Sequence, residues 1–304
     1  RGAELGILVK SGEALETAGK VNAVMLDKTG TVTTGSPVVT DIITAPGADE
    51  TAALTLAAAA EKQSEHPLAK AILAAAEQRS ITVPDAEGFK ASAGHGVDCT
   101  VNGTHIVMGS ARLMREQGIA NPLEERAAAL SAEGKTPIYM AADGRLTALF
   151  AVADAIKPDA AEAIRLLKEM NVKLVMLTGD NSLTAKAVAA KVGIDEVRSE
   201  VLPGDKAGEV ARLQNMGYTV AMVGDGVNDA PALVKADTGI AIGAGADVAI
   251  ESADIVLMGG ELGGVAAALR LSRAAMTNIK ENLFWAFGYN TLGIPVAAGV
   301  LHAF

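Results

Sequence analysis

The stretch that decides the fold runs Asn22-Ala-Val-Met-Leu-Asp27-Lys28-Thr29-Gly30-Thr31-Val-Thr33-Thr34-Gly35. Its apolar part is typical of a strand that is buried on both faces of a sheet. Asp27 ends that strand, at the edge where open α/β sheets place their ligand crevice. The cation, hydroxyl residues and glycine that follow can turn backbone amides towards an anion. Asp27 is therefore a candidate nucleophile towards a phosphoryl group, and the alternative is a carboxylate that caps a turn.

The composition limits the classes of protein to which the chain can belong. Its 304 residues are half apolar and carry a net charge of −10. That length allows about two domains with a sizeable core, and the acidic charge argues against nucleic acid as a partner. The single cysteine, Cys99, excludes an internal disulfide and a cysteine-pair metal site, and fits a reducing compartment. Because the chain lacks an initial Met and a signal peptide, we expect a piece of a longer protein.

The order of predicted elements indicates two domains, one inserted into the other. Strands and helices alternate from Ile156 onward, which predicts a doubly wound parallel sheet that also contains the strand before Asp27. Between them lies a glycine-rich region of α+β character, with a hairpin signal at Asn102-Gly103. We predict an α/β fold with these bounds: 1–35 as an approach segment and the first part of the discontinuous domain, 36–150 as the inserted domain, 151–260 as the second part, and 261–304 as a helix that leads into a truncated transmembrane segment.

The C-terminal run of the chain has the length of a membrane helix. Residues 283–304 contain no Lys, Arg, Asp or Glu over 22 positions, which would cross about 30 Å of hydrocarbon. Basic residues precede the run and Trp285 lies near its start, as at a membrane interface. We therefore predict a transmembrane segment, and the alternative is a buried core helix.

Two further strand ends supply groups that bind a phosphoryl group. Thr178 and the amide of Gly179 follow a buried strand and can donate hydrogen bonds to phosphate oxygens. Lys206 can offset the charge of the phosphoryl group in the transition state. Each of these residues alone could be a cap or a solvated charge, but together with Asp27 they predict one phosphoryl-transfer site.

A third strand end supplies the oxygen ligands of a magnesium site. Asp225, one oxygen of Asp27 and the carbonyl of Thr29 form the set of hard oxygen ligands that Mg²⁺ prefers. Asn228 and Asp229 follow closely and can orient the phosphate and the lysine. The sequence therefore predicts Mg²⁺ at the edge of the sheet.

Thr29 separates two kinds of enzyme. A phosphatase with an aspartate nucleophile gains from a second acid two residues later, which protonates the leaving group and activates water. Threonine cannot do this, so we expect a phosphorylated enzyme that persists and drives another process. A soluble phosphatase or phosphotransferase acting on a small metabolite, and a nucleotide sensor without catalysis, remain the alternatives.

Three motifs resemble those of a known family. Asp27-Lys-Thr-Gly-Thr, Thr178-Gly-Asp180 and Gly224-Asp-Gly-Val-Asn-Asp229-Ala-Pro231 resemble, in order and spacing, the phosphorylation-domain motifs of P-type ATPases, which have a haloacid dehalogenase-like fold. The resemblance implies that ATP supplies the phosphoryl group to Asp27 with Mg²⁺ present. It also implies a multi-pass membrane protein with cytoplasmic catalytic domains. Its transmembrane helices and actuator domain would lie elsewhere in the same polypeptide.

The inserted domain resembles the nucleotide-binding domain of the heavy-metal class. Ser64-Glu65-His66-Pro67 is similar to its signature, and the resemblance implies that Glu61 and His66 contact the adenine. Gly94, Gly96 and Gly109 are similar to its glycines, which let the backbone lie close to ATP. Taken alone, His66 before Pro67 is typical of a helix entry. Ser110 departs from the Asn that many relatives carry after the last glycine.

The pair Tyr289-Asn290 bears on the transported ion. It resembles the Tyr-Asn pair of the copper(I) subclass, whereas the zinc subclass tends to place a Lys in this helix. The resemblance implies Cu⁺ export, with Tyr289 and Asn290 contacting the ion and a copper chaperone as a further partner. A Zn²⁺ or Cd²⁺ pump of the same class is the alternative, and Asn290 could instead bond a neighbouring helix.

One segment imitates a phosphate-binding loop. Gly134-Lys135-Thr136 resembles the end of such a loop, but Ala129 stands where its first glycine is required. The segment also follows a helix and enters a strand, the reverse of the order in a P-loop. We therefore expect no phosphate there.

Overall fold

The computed structural model of the chain describes residues 6–64, 66–92, 96–225, 227–243 and 251–298. Its strands are β1 (Ile7–Val9), β2 (Ala23–Asp27), β3 (Val38–Thr44), β4 (Glu87–Ser92), β5 (Gly96–Val101), β6 (Thr104–Gly109), β7 (Thr136–Ala142), β8 (Arg145–Ala153), β9 (Lys173–Leu177), β10 (Glu196–Arg198), β11 (Val220–Gly224), β12 (Thr238–Ile242) and β13 (Ile255–Leu257). Its α-helices are α1 (Gly12–Lys20), α2 (Glu50–Glu61), α3 (Pro67–Gln78), α4 (Ala111–Glu116), α5 (Glu124–Ala132), α6 (Ala160–Glu169), α7 (Ser182–Val192), α8 (Lys206–Asn215), α9 (Ala230–Lys235) and α10 (Gly263–Ala297).

Seven strands form the sheet of what we call the parallel-sheet unit. Their order is β1-β13-β12-β11-β2-β9-β10, parallel throughout except for β1 at the edge. In β2, Val24 and Leu26 pack against α6, α7 and α10 on one face. Ala23 and Met25 pack against α8 and α9 on the other face. This two-sided burial accounts for the continuous apolar run before Asp27 and confirms the predicted doubly wound α/β fold.

Six antiparallel strands form the sheet of a second body, the antiparallel-sheet unit, in the order β3-β8-β7-β6-β5-β4. Helices α2 and α3 pack on one face of this sheet and α4 and α5 on the other. The predicted hairpin at Asn102-Gly103 is present between β5 and β6, with φ of 50° and 80°. Positive φ at both positions is what a two-residue hairpin turn requires, and Asn and Gly adopt it readily.

The chain passes between the two units twice, near residues 33–36 and near 154–157, and one carboxylate joins the two passages. Asp154, which follows β8, accepts hydrogen bonds of 2.5–3.2 Å from hydroxyls and backbone amides in residues 33–36. Thr33 also forms an isolated β-bridge with Ile156. The outgoing and returning segments are therefore held side by side.

The last helix differs from the prediction for 283–304. The described part of that segment continues α10 as one helix to Ala297. The prediction of a transmembrane segment is wrong for the described residues, none of whose helices has both the length and the apolar character that a membrane crossing needs. The described stretch 283–297 includes the polar Asn290 and, inside the helix, Pro295. Residues 299–304 lie outside the described residues.

Candidate active site

Three adjacent strands bring the predicted residues to one edge of the parallel sheet. Strand β2 lies between β9 and β11, with Asp27 in register with Leu177 and Leu26 with Val223. Asp27 ends β2, while Thr178 and Asp225 directly follow the other two strands. Because parallel strands end at the same edge, residues about 150 and 200 positions apart in sequence become neighbours.

Lys206, the first residue of α8, bridges two of the carboxylates at this edge. Its Nζ donates to Oδ1 of Asp27 at 2.7 Å and to Oδ1 of Asp229 at 2.6 Å. The three residues are 7%, 6% and 1% exposed, respectively. Burial would lower the pKa of Lys206, but the two carboxylates raise it above its usual value, so the bridging group is an ammonium.

Burial and nearby carboxylates make the charge of Asp27 unfavourable. Burial and then the charge of Asp229 raise the pKa of Asp27 to about 7, although Lys206 acts in the opposite direction. Burial and Asp229 also raise the pKa of Asp225. A further cation beside Asp27 and Asp225 would relieve both carboxylates.

The geometry fits a small divalent cation. Oxygen atoms of Asp27, Asp225 and Asp229 all lie within 4.8 Å of one another, and carboxylate oxygens are the ligands that Mg²⁺ prefers. Gly30 has a φ of +73°, and a Cβ at this position would overlap the Asp225 carboxylate. The turn after Asp27 therefore needs glycine for its conformation and for the close approach of Asp225.

Asp229 takes part in both the lysine contact and the acidic cluster. It was predicted to orient Lys206, and it does contact that lysine, but it also belongs to the acidic cluster. Lys206 occupies Oδ1 of both Asp229 and Asp27, whereas in the described part of the chain the Asp225 carboxylate accepts no hydrogen bond from this lysine. Thr29, whose carbonyl is the third predicted ligand, is half-buried in the turn beside them, and Asn228 is exposed near Asp229.

Asp180 and Lys28 form an ion pair that the sequence does not predict. The Asp180 carboxylate also accepts hydrogen bonds from Thr178 at 3.0 Å and from Thr136 at 2.8 Å. Burial would raise the pKa of Asp180, but Lys28 and these hydrogen bonds hold it below its usual value. Helix α7 is capped by Asn181, which accepts from two backbone amides.

Thr136 belongs to the antiparallel-sheet unit, so its bond to Asp180 connects the two units. The neighbouring Lys135 pairs with Asp41 at 2.9 Å, and its carbonyl accepts from Thr184 at 2.7 Å. The segment that imitates a phosphate-binding loop thus makes contacts within the protein. Gly179, predicted to donate its amide to phosphate, is exposed beside this contact.

Lys157 supports the turn after Asp27 from the returning chain. Its Nζ donates to the Gly30 carbonyl at 2.6 Å, and burial lowers its pKa. The two residues are 127 positions apart. No local sequence pattern identifies Gly30 as the partner of Lys157.

The predicted nucleotide-contacting residues lie in the antiparallel-sheet unit. Glu61 is buried at the end of α2, and burial raises its pKa. His66 begins the next helix, α3, and its Nδ1 accepts from the Leu68 amide at 3.2 Å. The structure thus gives His66 the helix-entry position that its neighbour Pro67 indicates.

The predicted glycines have a packing role of their own. Gly96 and Gly109 face each other across β5 and β6. A Cβ on Gly96 would overlap the Met108 carbonyl oxygen and lie 2.7 Å from the Gly109 Cα. Gly94, together with Glu65 and His95, lies outside the described residues.

Tyr289 and Asn290, predicted to contact a transported ion, lie on the exposed part of α10. They are not among the residues that gather around Asp27. They therefore lie in a region of the chain that is separate from the cluster around Asp27.

Comparisons with known proteins identify relatives of the whole chain. The model of the haloacid dehalogenase-like hydrolase family matches residues 21–237. A probable copper-exporting P-type ATPase V of Mycobacterium tuberculosis is 52% identical over 300 residues, which cover 98% of this chain and 39% of the relative. Copper-transporting ATPase 2 of Rhizobium meliloti is 50% identical over 303 residues, covering 99% of this chain and 37% of the relative. The chain thus spans about two fifths of the length of these curated relatives.

Solved structures share the fold. A zinc-transporting PIB-type ATPase in the E2.Pi state superposes with a TM-score of 0.68 and 39% identity, covering 98% of this chain and 49% of that one. The catalytic domain of the CPx-ATPase CopB-B superposes with a TM-score of 0.71 and 29% identity, covering 88% of this chain and 96% of that one. These similarities confirm the resemblance to heavy-metal P-type ATPases that the motifs indicate. Since the family model spans Asp27, Lys206 and Asp229, the residues that make up the buried edge of the sheet, the chain belongs to the haloacid dehalogenase-like hydrolase family.

Proposed function

We propose that this chain is the ATP-binding and phosphorylation part of a P-type ATPase that exports Cu⁺. Asp27 receives the γ-phosphoryl group of ATP and holds it as an aspartyl-phosphate. The whole protein then uses that phosphoenzyme to move the ion across a membrane.

The buried Lys206 bridge is the observation that carries the proposal. Lys206 is held between Asp27 and Asp229. Within this one cluster Asp27 supplies the nucleophile, the lysine a neutralising cation, and the nearby Asp225 a metal ligand. A carboxylate whose only role is to cap a turn has no need of a buried ammonium. The arrangement therefore favours phosphoryl transfer over the turn-capping alternative.

The reaction follows from these positions. An oxygen of the Asp27 carboxylate attacks the γ-phosphorus, an O–P bond forms, and the bond from phosphorus to the bridging oxygen breaks as ADP leaves. Lys206 offsets the charge on the transferred group, while Thr178 and the Gly179 amide donate to its oxygens. Asp27 and Asp225, with the Thr29 carbonyl, would hold Mg²⁺, which when bound supplies positive charge to the phosphate oxygens.

Thr29 keeps the product from being hydrolysed at once. It stands two residues after Asp27, where a phosphatase would have its second acid, and its hydroxyl cannot serve as a general acid or base near neutral pH. Dephosphorylation then depends on groups outside this chain, which is how a phosphoenzyme remains available to do work.

The antiparallel-sheet unit brings ATP to Asp27. Glu61 and His66 contact the adenine, and Gly94, Gly96 and Gly109 allow the backbone to lie near the nucleotide. The two chain crossings at 33–36 and 154–157 act as the hinge for closure.

The transported ion is assigned from the relatives and from α10. The relatives at 50–52% identity are named for copper, whereas the superposed pump named for zinc is 39% identical. Tyr289 and Asn290 contact Cu⁺ in the whole protein, which lies in a membrane with its catalytic part in the cytoplasm. Its further partners are the remaining domains of the same polypeptide and a copper chaperone.

The test of phosphorylation uses the whole protein and ATP labelled in the γ-phosphate. We expect an acid-stable, hydroxylamine-sensitive adduct on Asp27 that Asp27→Asn abolishes. Asp205→Asn is the matched control, because Asp205 is an exposed carboxylate just before Lys206 and should leave labelling intact. Absence of label from the unmodified protein, or its persistence in Asp27→Asn, would refute the proposal.

The ion is tested separately, by ATPase activity of the whole protein. Cu⁺ and Ag⁺ should stimulate hydrolysis, and Zn²⁺ and Cd²⁺ should not. Stimulation by the divalent ions alone would replace copper by zinc or cadmium and leave the phosphorylation chemistry in place.

A further inference from the structure

Helix α10 has two parts with opposite surroundings. In the first part Val265, Leu269 and Ser272 are completely buried against the parallel-sheet unit. From Ile279 onward the large apolar side chains are exposed, including Val296 near the helix end. The second part, 279–297, which we call the projecting part, therefore depends on the first part for its direction.

Arg273 lies where the buried part ends. Its two terminal nitrogens donate to two backbone carbonyls, Nη1 to Met170 at 3.1 Å and Nη2 to Val21 at 2.9 Å. Met170 is the C-cap residue of α6 and Val21 is that of α1. Carbonyls at helix C-termini lack partners within their helix and carry partial negative charge. The planar guanidinium thus holds three helices, α1, α6 and α10, in a fixed orientation relative to one another.

A second tie holds the start of the same helix. The Asp159 carboxylate, directly before α6, accepts from the Gly263 amide at 2.8 Å. Helices α6 and α10 therefore run parallel and are fastened together at both ends, by Asp159 at their N-termini and by Arg273 at the C-terminus of α6. Helix α1 also packs closely here, since a Cβ on Gly19 would lie 3.3 Å from the Met276 side chain.

The helix that carries these ties begins close to the phosphorylation loop. Lys157, three residues before α6, holds the Gly30 carbonyl of the turn after Asp27. A displacement of that turn would therefore act on the start of α6. Because α6 is a short, packed helix, its far end would move with it.

We propose that Arg273 is a positioning residue that fixes the direction of the projecting part of α10 relative to the parallel-sheet unit. Asp159 is its counterpart at the start of the helix. The direction of the projecting part is a property of this chain alone. Its consequence, that a change at Asp27 reaches the residues beyond 279, rests on the proposed function.

The direction of the projecting part is tested on this chain by measuring the distance between two spin labels. With Cys99 replaced by Ala, labels at the exposed positions Met216 and Phe287 report the direction of the projecting part. We expect a narrow distance distribution in the parent, a broad one in Arg273→Ala, and an intermediate one in Arg273→Lys, because an ammonium lacks the planar fork that reaches both carbonyls.

Arg270→Ala is the matched control. Arg270 is an exposed arginine one turn earlier on α10, so its loss removes the same charge and should leave the distribution narrow. Asp159→Ala should broaden the distribution, and Asp159→Asn, which keeps an acceptor, should broaden it less. An unchanged distribution in both Arg273→Ala and Asp159→Ala would overturn the proposal. So would equal broadening in Arg270→Ala.

The consequence is tested in the whole protein. Arg273→Ala should form the phosphoenzyme from ATP with an unchanged KM, while ion-stimulated kcat falls about tenfold, within the usual range of coupling between sites. Arg273→Lys should recover part of the loss. A parallel loss of phosphoenzyme would show a merely structural role and overturn the proposal. If the unmodified protein forms no phosphoenzyme, the proposed function fails while the label distances still decide the geometry.

Discussion

Replacement of Asp27 by Asn should stabilise the folded chain when Mg²⁺ is absent. The substitution keeps the shape of the side chain and removes a buried charge that Asp229 and Asp225 repel. Lys206 keeps its other partner, Asp229, at 2.6 Å. The loss of the nucleophile and a gain in stability should therefore occur together.

The magnitude follows from the pKa of Asp27. A rise from 3.8 to about 7 is about three units, or about 4 kcal/mol at 1.4 kcal/mol per unit. Because the folded pKa is the higher one, the folded state binds the extra proton between pH 4 and 7. Stability is thus greatest below that window and is lost as pH rises through it, by about 1.4 kcal/mol per pH unit between pH 5 and 6.

The assay is urea unfolding at pH 5 to 8, with a chelator and again with Mg²⁺. The difference in unfolding free energy between Asp27→Asn and the parent reports Asp27 together with the groups coupled to it, since groups elsewhere titrate alike in both proteins. With the chelator this difference should rise with pH towards about 4 kcal/mol, and Mg²⁺ should reduce it. Asp205→Asn, at an exposed position, should show no such slope. A flat difference, or an Asp27→Asn protein that is the less stable one at pH 8 with the chelator, would refute the reasoning.

Two other predictions concern the turn after Asp27 and the contact between the units. Gly30→Ala should weaken Mg²⁺ binding by about tenfold or more, because a Cβ there displaces Asp225, and should cost about 1–2 kcal/mol for its positive φ. Gly47→Ala has a similar φ and open space, so in urea unfolding and Mg²⁺ titration it should show the strain alone. Thr136→Val removes the donor to Asp180 and should increase the radius of gyration in solution scattering. An unchanged radius would show that this bond does not hold the units together.

Local patterns are sufficient to predict the centre of the fold. Strand β2 and its neighbours β9 and β11 are short, largely apolar runs, with a polar residue at the end of β2 and directly after the other two. Parallel strands bring such ends to one edge whatever their separation in sequence. The fold class, the Asn102-Gly103 hairpin and the convergence on Asp27 follow from these patterns. The roles of the site residues and the domain boundaries at 35, 150 and 260 stay predictions.

The contacts that hold this centre could not be predicted in the same way. Asp180 pairs with Lys28 across 152 positions, and Asp154 holds residues about 120 positions earlier. Such partners are set by tertiary packing, and nothing in the adjacent residues specifies them. The prediction of a transmembrane segment is wrong for the described part of 283–304, for a different reason. The absence of charged residues over 283–304 does not by itself make a helix long and apolar enough to cross a membrane.

The central place of β2 has a consequence for how the protein folds as it is synthesised. Its two neighbours in the sheet, β9 and β11, leave the ribosome roughly 150 and 200 residues later. The antiparallel-sheet unit is complete by residue 153, because its strands are consecutive in the chain. It can fold first, while β2, whose residues are all buried in the folded protein, waits without partners and is exposed to aggregation. Nascent chains of this protein therefore need protection most during the interval between the two parts of the parallel sheet.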